Sequence, residues 1–171
     1  MKKHEDYITH ISNKEDAPYL YGKHFPVNMR LFKTSPEYKA IILSMCSYIR
    51  ELCLDVKEGY KKPHGMSSAN AGLAFNIIGI TRNRNSKQEY CEIMINPEIL
   101  DCSKDMVESM SNCGSINLEK PIKIKRYSEV KVGYFNENGE YLCKIFDREN
   151  GSLTIQHEID HNLGILITDR V

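Results

Sequence analysis

The chain predicts an α+β fold: antiparallel strands with a hairpin, arranged around a late helix, and preceded by an earlier helix. Three observations predict it. Apolar residues recur at helical spacing after Pro36, short β-branched segments follow from Leu73 onward, and a second helical pattern closes the chain between Ser152 and Gly164.

The first twenty-five residues are polar and irregular, and we expect a surface arm over 1–25. In "TSPEYKAIILSMCSYIRELCLDV", Ser35 is placed to cap a helix, Pro36 to open it and Glu37 to sit in its first turn. Ile42, Met45, Ile49, Leu52 and Val56 then form one apolar stripe, with Cys46 and Cys53 as small buried hydrophobes. "KEGYKKPHGMSSANAG" is dense in turn residues and reads as a loop. "LAFNIIGIT" and "YCEIMINPEIL" are short, apolar and β-branched, hence strands. "EVKVGYFNENGEYLCKIF" predicts a hairpin closed by a tight type I′ turn at Asn138-Gly139. Ser152 is the expected cap of the last helix and Gly164 its stop.

At 171 residues the chain suits one domain spanning 1–171, with 41% apolar and 27% charged residues. Zero formal charge advertises no basic face for nucleic acid and no polybasic run for a membrane. The Lys/Arg cluster of "KPIKIKRY" reads as a solvated strand edge. No apolar run approaches the roughly 20 residues of a bilayer span. The two N-terminal lysines precede no apolar stretch, so no secretory leader is expected. Six cysteines without a leader point to reduced thiols and the cytoplasm.

The chemistry concentrates in "GSLTIQHEIDHNLGI". His157 and His161 are four residues apart, so a helix places both imidazoles on one face within reach of a single ion, with Glu158 beside it. A Lewis-acid metal with a carboxylate to move protons is a hydrolytic pairing. The plainer reading is an amphipathic helix with two half-exposed histidines. Two histidines leave a catalytic site one protein ligand short. Asp169 is too near the chain end to serve, whereas Cys113, in the Ser/Asn/Gly-flanked "ESMSNCGSINL", offers a thiolate. Cys91 and Cys143 lie in strand patterns and read as core.

These residues resemble the peptide deformylases. The family's Q-H-E-x-D-H-x-x-G motif is matched by Gln156, His157, Glu158, Asp160, His161 and Gly164. Its E-G-C-x-S motif is matched at Cys113 and Ser115, and G-x-G-L-A-A-x-Q at Gly72, Leu73 and Ala74, with Gly79 following. The resemblance covers roughly residues 30 to 170. It implies one divalent ion, iron(II) with zinc or nickel as alternatives, held by Cys113, His157 and His161. It implies Glu158 as general acid/base and the Gly114 backbone N–H as a donor to the developing oxyanion. Gly72, Leu73, Ala74, Ile77 and Ser115 would line the substrate site. The implied reaction removes the N-formyl group from the N-terminal methionine of new polypeptides and releases formate. The implied partners are an N-formyl-Met peptide or nascent chain, with transient ribosome contact.

The sequence departs from the family near that chemistry. Ile77 stands at the motif Gln, whose amide donates to the oxyanion; an alkyl chain cannot replace it, and the plainer reading of Ile77 is a buried core residue. Asn76, its neighbour, is expected on the opposite strand face. Ser111-Asn112 replace Glu-Gly, Asn70 replaces the first motif Gly, and Asn162-Leu163 replace Leu-Asn. Asp160 reads as a hydrogen-bonding residue behind the ligands. The alternative function is therefore a weakly active or inactive deformylase-like metal protein that binds formylated N-termini or acts on another N-acyl substrate. An unrelated H-E-x-x-H peptidase is disfavoured by Cys113 and the short tail.

Overall fold

The computed structural model describes residues 18–55, 62–116 and 118–171. Its helices are α1 (Pro18–Tyr21), α2 (Met29–Thr34), α3 (Pro36–Leu54) and α4 (Ser152–Asn162), with a 3₁₀ turn at Ile167–Arg170. Its strands are β1 (Gly65–Ser67), β2 (Ile77–Arg82), β3 (Tyr90–Cys102), β4 (Met106–Ser111), β5 (Ile122–Tyr127), β6 (Val130–Phe135) and β7 (Tyr141–Phe146). All pairings between strands are antiparallel, in a five-stranded sheet ordered β1-β2-β3-β6-β7 and a separate β4-β5 pair.

The main sheet has a helix on each face. Ile77, Ile93 and Ile95 join Ile42, Cys46, Ile49 and Cys53 of α3 in one core. Ile78, Ile80 and Met94 join Ile155 and Ile159 of α4 in the other. The strand period of two thus sends neighbours to opposite layers. Both helices lie close to the sheet. A methyl group at Gly79 would come within 2.8 Å of Ile49 Cγ2, and one at Gly65 within 2.8 Å of Thr154 Cγ2.

The α3 start agrees with expectation: Ser35 Oγ accepts from Tyr38 N at 3.2 Å, ahead of Pro36. Val56 lies outside the described residues, as do 1–17. The rest of the expected arm is not loose. Leu20 of α1 is fully buried against Ala69 and Leu166, and His24 and Val27 are buried as well. Residues 24–27 run as a strap between elements: His24 N donates to Asn162 O and Phe25 N to Ala74 O, each at 2.8 Å. Asn76 N donates to Phe25 O, and the Asn96 side chain holds Val27 by both its N–H and its C=O.

Four further expectations are corrected. The turn-rich loop contains β1, too short and polar to show a strand period. The hairpin closes through a three-residue loop, Asn136 N donating to Glu140 O at 3.0 Å. Only Gly139 has positive φ (81°), whereas a type I′ turn needs it at both centres. Gly151, at φ 99°, occupies the cap position of α4, and Ser152 Oγ donates instead to Ser128 O at 2.8 Å. Cys143 is exposed on the edge strand β7, because its neighbours there face solvent too. All six cysteines are free thiols. No helix among the described residues is long and apolar enough to cross a membrane.

Candidate metal centre

Helix α4 carries the site and is buried around most of its circumference although eight of its eleven residues are polar. Each polar side chain therefore needs a partner or a task. Gln156 supplies a strand-like lock: its Oε1 accepts from Tyr127 N at 3.1 Å and its Nε2 donates to Tyr127 O at 2.9 Å. This fixes the end of β5 to the helix. Asp160 forms an ion pair with Arg126 at 2.8 Å, with both side chains under a tenth exposed, and a second with Arg170 at 2.5 Å. The helix ends where expected. Gly164 (φ 76°) donates to His161 O and Ile165 to Asp160 O, a Schellman closure, and any side chain at Gly164 would strike Tyr21 O.

Cys113 follows β4 after one residue and lies buried against this helix. Its Sγ is 3.2 Å from His161 Nε2, which is 3.1 Å from His157 Nε2. The three potential ligand atoms all lie within 4.8 Å of one another. Burial lowers the pKa of His157 well below the ordinary value and that of His161 to about 4, so both rings are neutral and offer lone pairs. Burial pushes the Cys113 thiol up to about 11, against hydrogen bonds from the Ser115 and Ile116 backbone. One soft sulfur and two imidazole nitrogens converging on one point fit a divalent ion of the zinc or iron kind.

Glu158 is buried beside them, and its Oε2 has no hydrogen-bond partner among the described residues. Burial raises its pKa to about 8, opposed by the Arg126 charge and the Ser67 backbone. Such a carboxyl is balanced to take and release a proton near neutrality. Gly114 is exposed in the turn after Cys113, and nothing lies within 4 Å of the place a Cβ would take.

The remaining expected residues are divided. Gly72 (φ 68°), Leu73 and Ala74 form the half-buried turn leading into β2. Ser115 is buried and takes a hydrogen bond from Asn70 Nδ2, which ties the Cys113 loop to that turn. Ile77, expected to line the substrate site, is fully buried in the α3 core and faces away from α4. Its neighbour Asn76 is the residue that faces the helix, bonded to Asn162 at 3.0 Å.

Arg126, expected with the lysines on a solvated strand edge, is instead buried and paired with Asp160, and His24 carried no sequence signal. Arg126 shares the inward face of β5 with Ile124, so strict alternation through "IKIKRY" would have marked it. His24 Nδ1 lies 2.9 Å from Ser68 Oγ, and no sequence motif announces that contact.

Fold and site together define an α+β metal-site protein of the H-E-x-x-H kind with a cysteine as third donor. The chain belongs to the polypeptide deformylase family, whose profile matches residues 14–171. The peptide deformylase of Desulfotalea psychrophila is 35% identical over 109 residues, 63% of this chain and 62% of that protein. That of Streptococcus gordonii is 31% identical over 127 residues, 67% of this chain and 61% of its own. The matched region thus spans about three-fifths of the curated relatives' length. Among solved structures, the Met-Ala-Ser-bound class I type b peptide deformylase of Acinetobacter baumannii shares the fold, with TM-score 0.75, 21% identity and 96% of each chain covered. The Thermotoga maritima peptide deformylase aligns with TM-score 0.66 and 25% identity, over 96% of this chain and 95% of that one.

Proposed function

We propose that this protein is a metal-dependent hydrolase that removes the formyl group from the N-terminal methionine of new polypeptides. The observation that carries the reading is the buried Glu158 carboxyl, its Oε2 unpartnered among the described residues, beside the Cys113/His157/His161 cluster in a chain of the deformylase family. Cys113, His157 and His161 would hold one divalent ion, iron(II) first, with zinc or nickel as alternatives. Such an ion supplies Lewis acidity for hydrolysis.

The residues of the chain do the rest. Glu158 takes a proton from the attacking water, whose oxygen bonds to the formyl carbon. As the C–N bond breaks, Glu158 returns the proton to the leaving amine, giving formate and a free methionine N-terminus. The Gly114 N–H donates to the acyl oxygen as its charge grows. Gly72, Leu73, Ala74 and Ser115 shape the substrate side, and Asp160 sets the helix behind the ligands. The shared cores of the described residues support a single domain over 1–171. Action in the cytoplasm, on chains leaving the ribosome, belongs to the same proposal.

The test is formate release from formyl-Met-Ala-Ser by anaerobically purified, iron-loaded protein, with Glu158→Ala as control. Release that vanishes in the control is the expected result. Protein holding one metal that releases no formate would overturn the reading and favour a binding role.

A further inference from the structure

We infer that Asn76 is the side-chain donor to the acyl oxygen, held in orientation by Asn162. This rests on the hydrolase reading above and adds a catalytic residue to it. Water attack on an acyl carbon places negative charge on its oxygen, and a site that stabilises it needs fixed donors there. The Gly114 N–H is one. Three carboxamides lie near enough in the fold to be considered for another.

Asn70 is engaged: its side chain accepts from Ser67 and donates to Ser115. Asn112 is exposed and folds back so that its Oδ1 accepts from Cys113 N at 3.0 Å. Asn76 differs in both respects. It is half-buried, and its Oδ1 accepts from Asn162 Nδ2 at 3.0 Å. The same Asn162 nitrogen donates to Ile77 O at 3.1 Å, while Asn162 Oδ1 lies 3.0 Å from the Ser68 hydroxyl. A backbone carbonyl can only accept, so Asn162 must present its nitrogen there. Asn76 must then present its oxygen to Asn162 and turn its own NH₂ away. That NH₂ makes no hydrogen bond to another described residue and is not sealed in the interior.

The placement agrees. Asn162 directly follows His161 and lies one helical turn beyond Glu158, on the same face of α4. Ile77 points into the α3 core, so the strand alternation brings Asn76 to the α4 side. The chain thus keeps a carboxamide at this edge of the site one position before the motif's Gln position, Ile77.

The experiment uses iron-loaded full-length protein and its Asn76→Ala and Asn76→Asp variants. Asp keeps an acceptor for Asn162 and removes the donor. We expect kcat for formyl-Met-Ala-Ser to fall about 100-fold in both, with KM changed by less than about threefold. A second readout is the infrared carbonyl stretch of ¹³C-formyl peptide bound to Glu158→Ala protein, which should rise in frequency when Asn76 is also Ala. Variants within threefold of wild-type kcat, or an unshifted carbonyl band, would overturn the inference and leave the hydrolase reading standing. Loss of metal or fold in both variants would make Asn76 a structural tie and overturn it as well. Wild-type protein without formate release would end both.

Discussion

At the scale of single residues, the site depends on groups that touch no ligand atom. A methyl at Gly65 would meet Thr154 Cγ2 at 2.8 Å and Glu158 Cγ at 2.9 Å, so Gly65→Ala must push α4 off β1 or turn the Glu158 side chain. Overpacking of this kind costs about 1–3 kcal/mol. The expected result is a lower melting temperature together with slower formate release, since the moved carboxyl is the one proposed to carry the proton. Asp160 sits between two arginines, and Arg126 has no other acid partner among its ion pairs. Asp160→Asn leaves that guanidinium charged and buried, which should cost about 3 kcal/mol, read from urea unfolding. The histidine pair of the cluster was legible because a helix fixes the spacing of His157 and His161. Arg126 was hidden among lysines: Lys123 and Lys125 face solvent, and only the alternate position turns inward.

At the scale of elements, four strands of the main sheet are joined through one carboxylate. Glu92 of β3 takes Tyr134 Oη of β6 at 2.5 Å, Lys144 Nζ of β7 at 2.9 Å and Arg82 Nε of β2 at 2.7 Å. Burial alone would raise its pKa, but these donors together hold it below the ordinary 4.5. A depressed carboxylate stabilises the fold above its unfolded pKa, and that stability is lost as pH falls through the folded value. Glu92→Gln should therefore cost about 2 kcal/mol at pH 7. Its unfolding curve should converge on the wild type in acid below the ordinary carboxylate range. A constant gap across pH would show that packing, not charge, is what the substitution removes. Long apolar strands and α3 were legible from their periods. β1 and β4 were not: "GMS" is too short to show alternation, and "MVESMS" is mostly polar. The Asn-Gly pair located the hairpin, but three loop residues fixed its geometry.

At the scale of the whole molecule, the candidate metal ligands come from two separate sheets' surroundings. Cys113 lies in the connection between β4 and β5, whereas both histidines ride on the helix packed against the main sheet. An ion binding all three would clamp these parts together and stabilise the folded state by mass action. Removing it with a chelator should lower the melting temperature by roughly 5–10 °C for an ion bound about 100-fold above its dissociation constant. Cys113→Ala should melt lower and respond little to the chelator. The α+β class and the family motifs were readable because both rest on local periods and short spacings. Strand alternation already set Ile77 and Asn76 on opposite faces, but the pairing of Asn76 with Asn162 is a relation between segments far apart in sequence.

The strap at 24–27 has a consequence for how the protein opens. His24 N, Phe25 N and Val27 N hydrogen-bond in turn to the end of α4, to the turn before β2, and to Asn96 in β3. Three amides close together in sequence thus report on three different elements. If the site breathes as one unit, their deuterium uptake should follow a single rate and slow together when an ion binds. If α4 swings alone, the His24 amide should exchange first while Phe25 and Val27 stay protected.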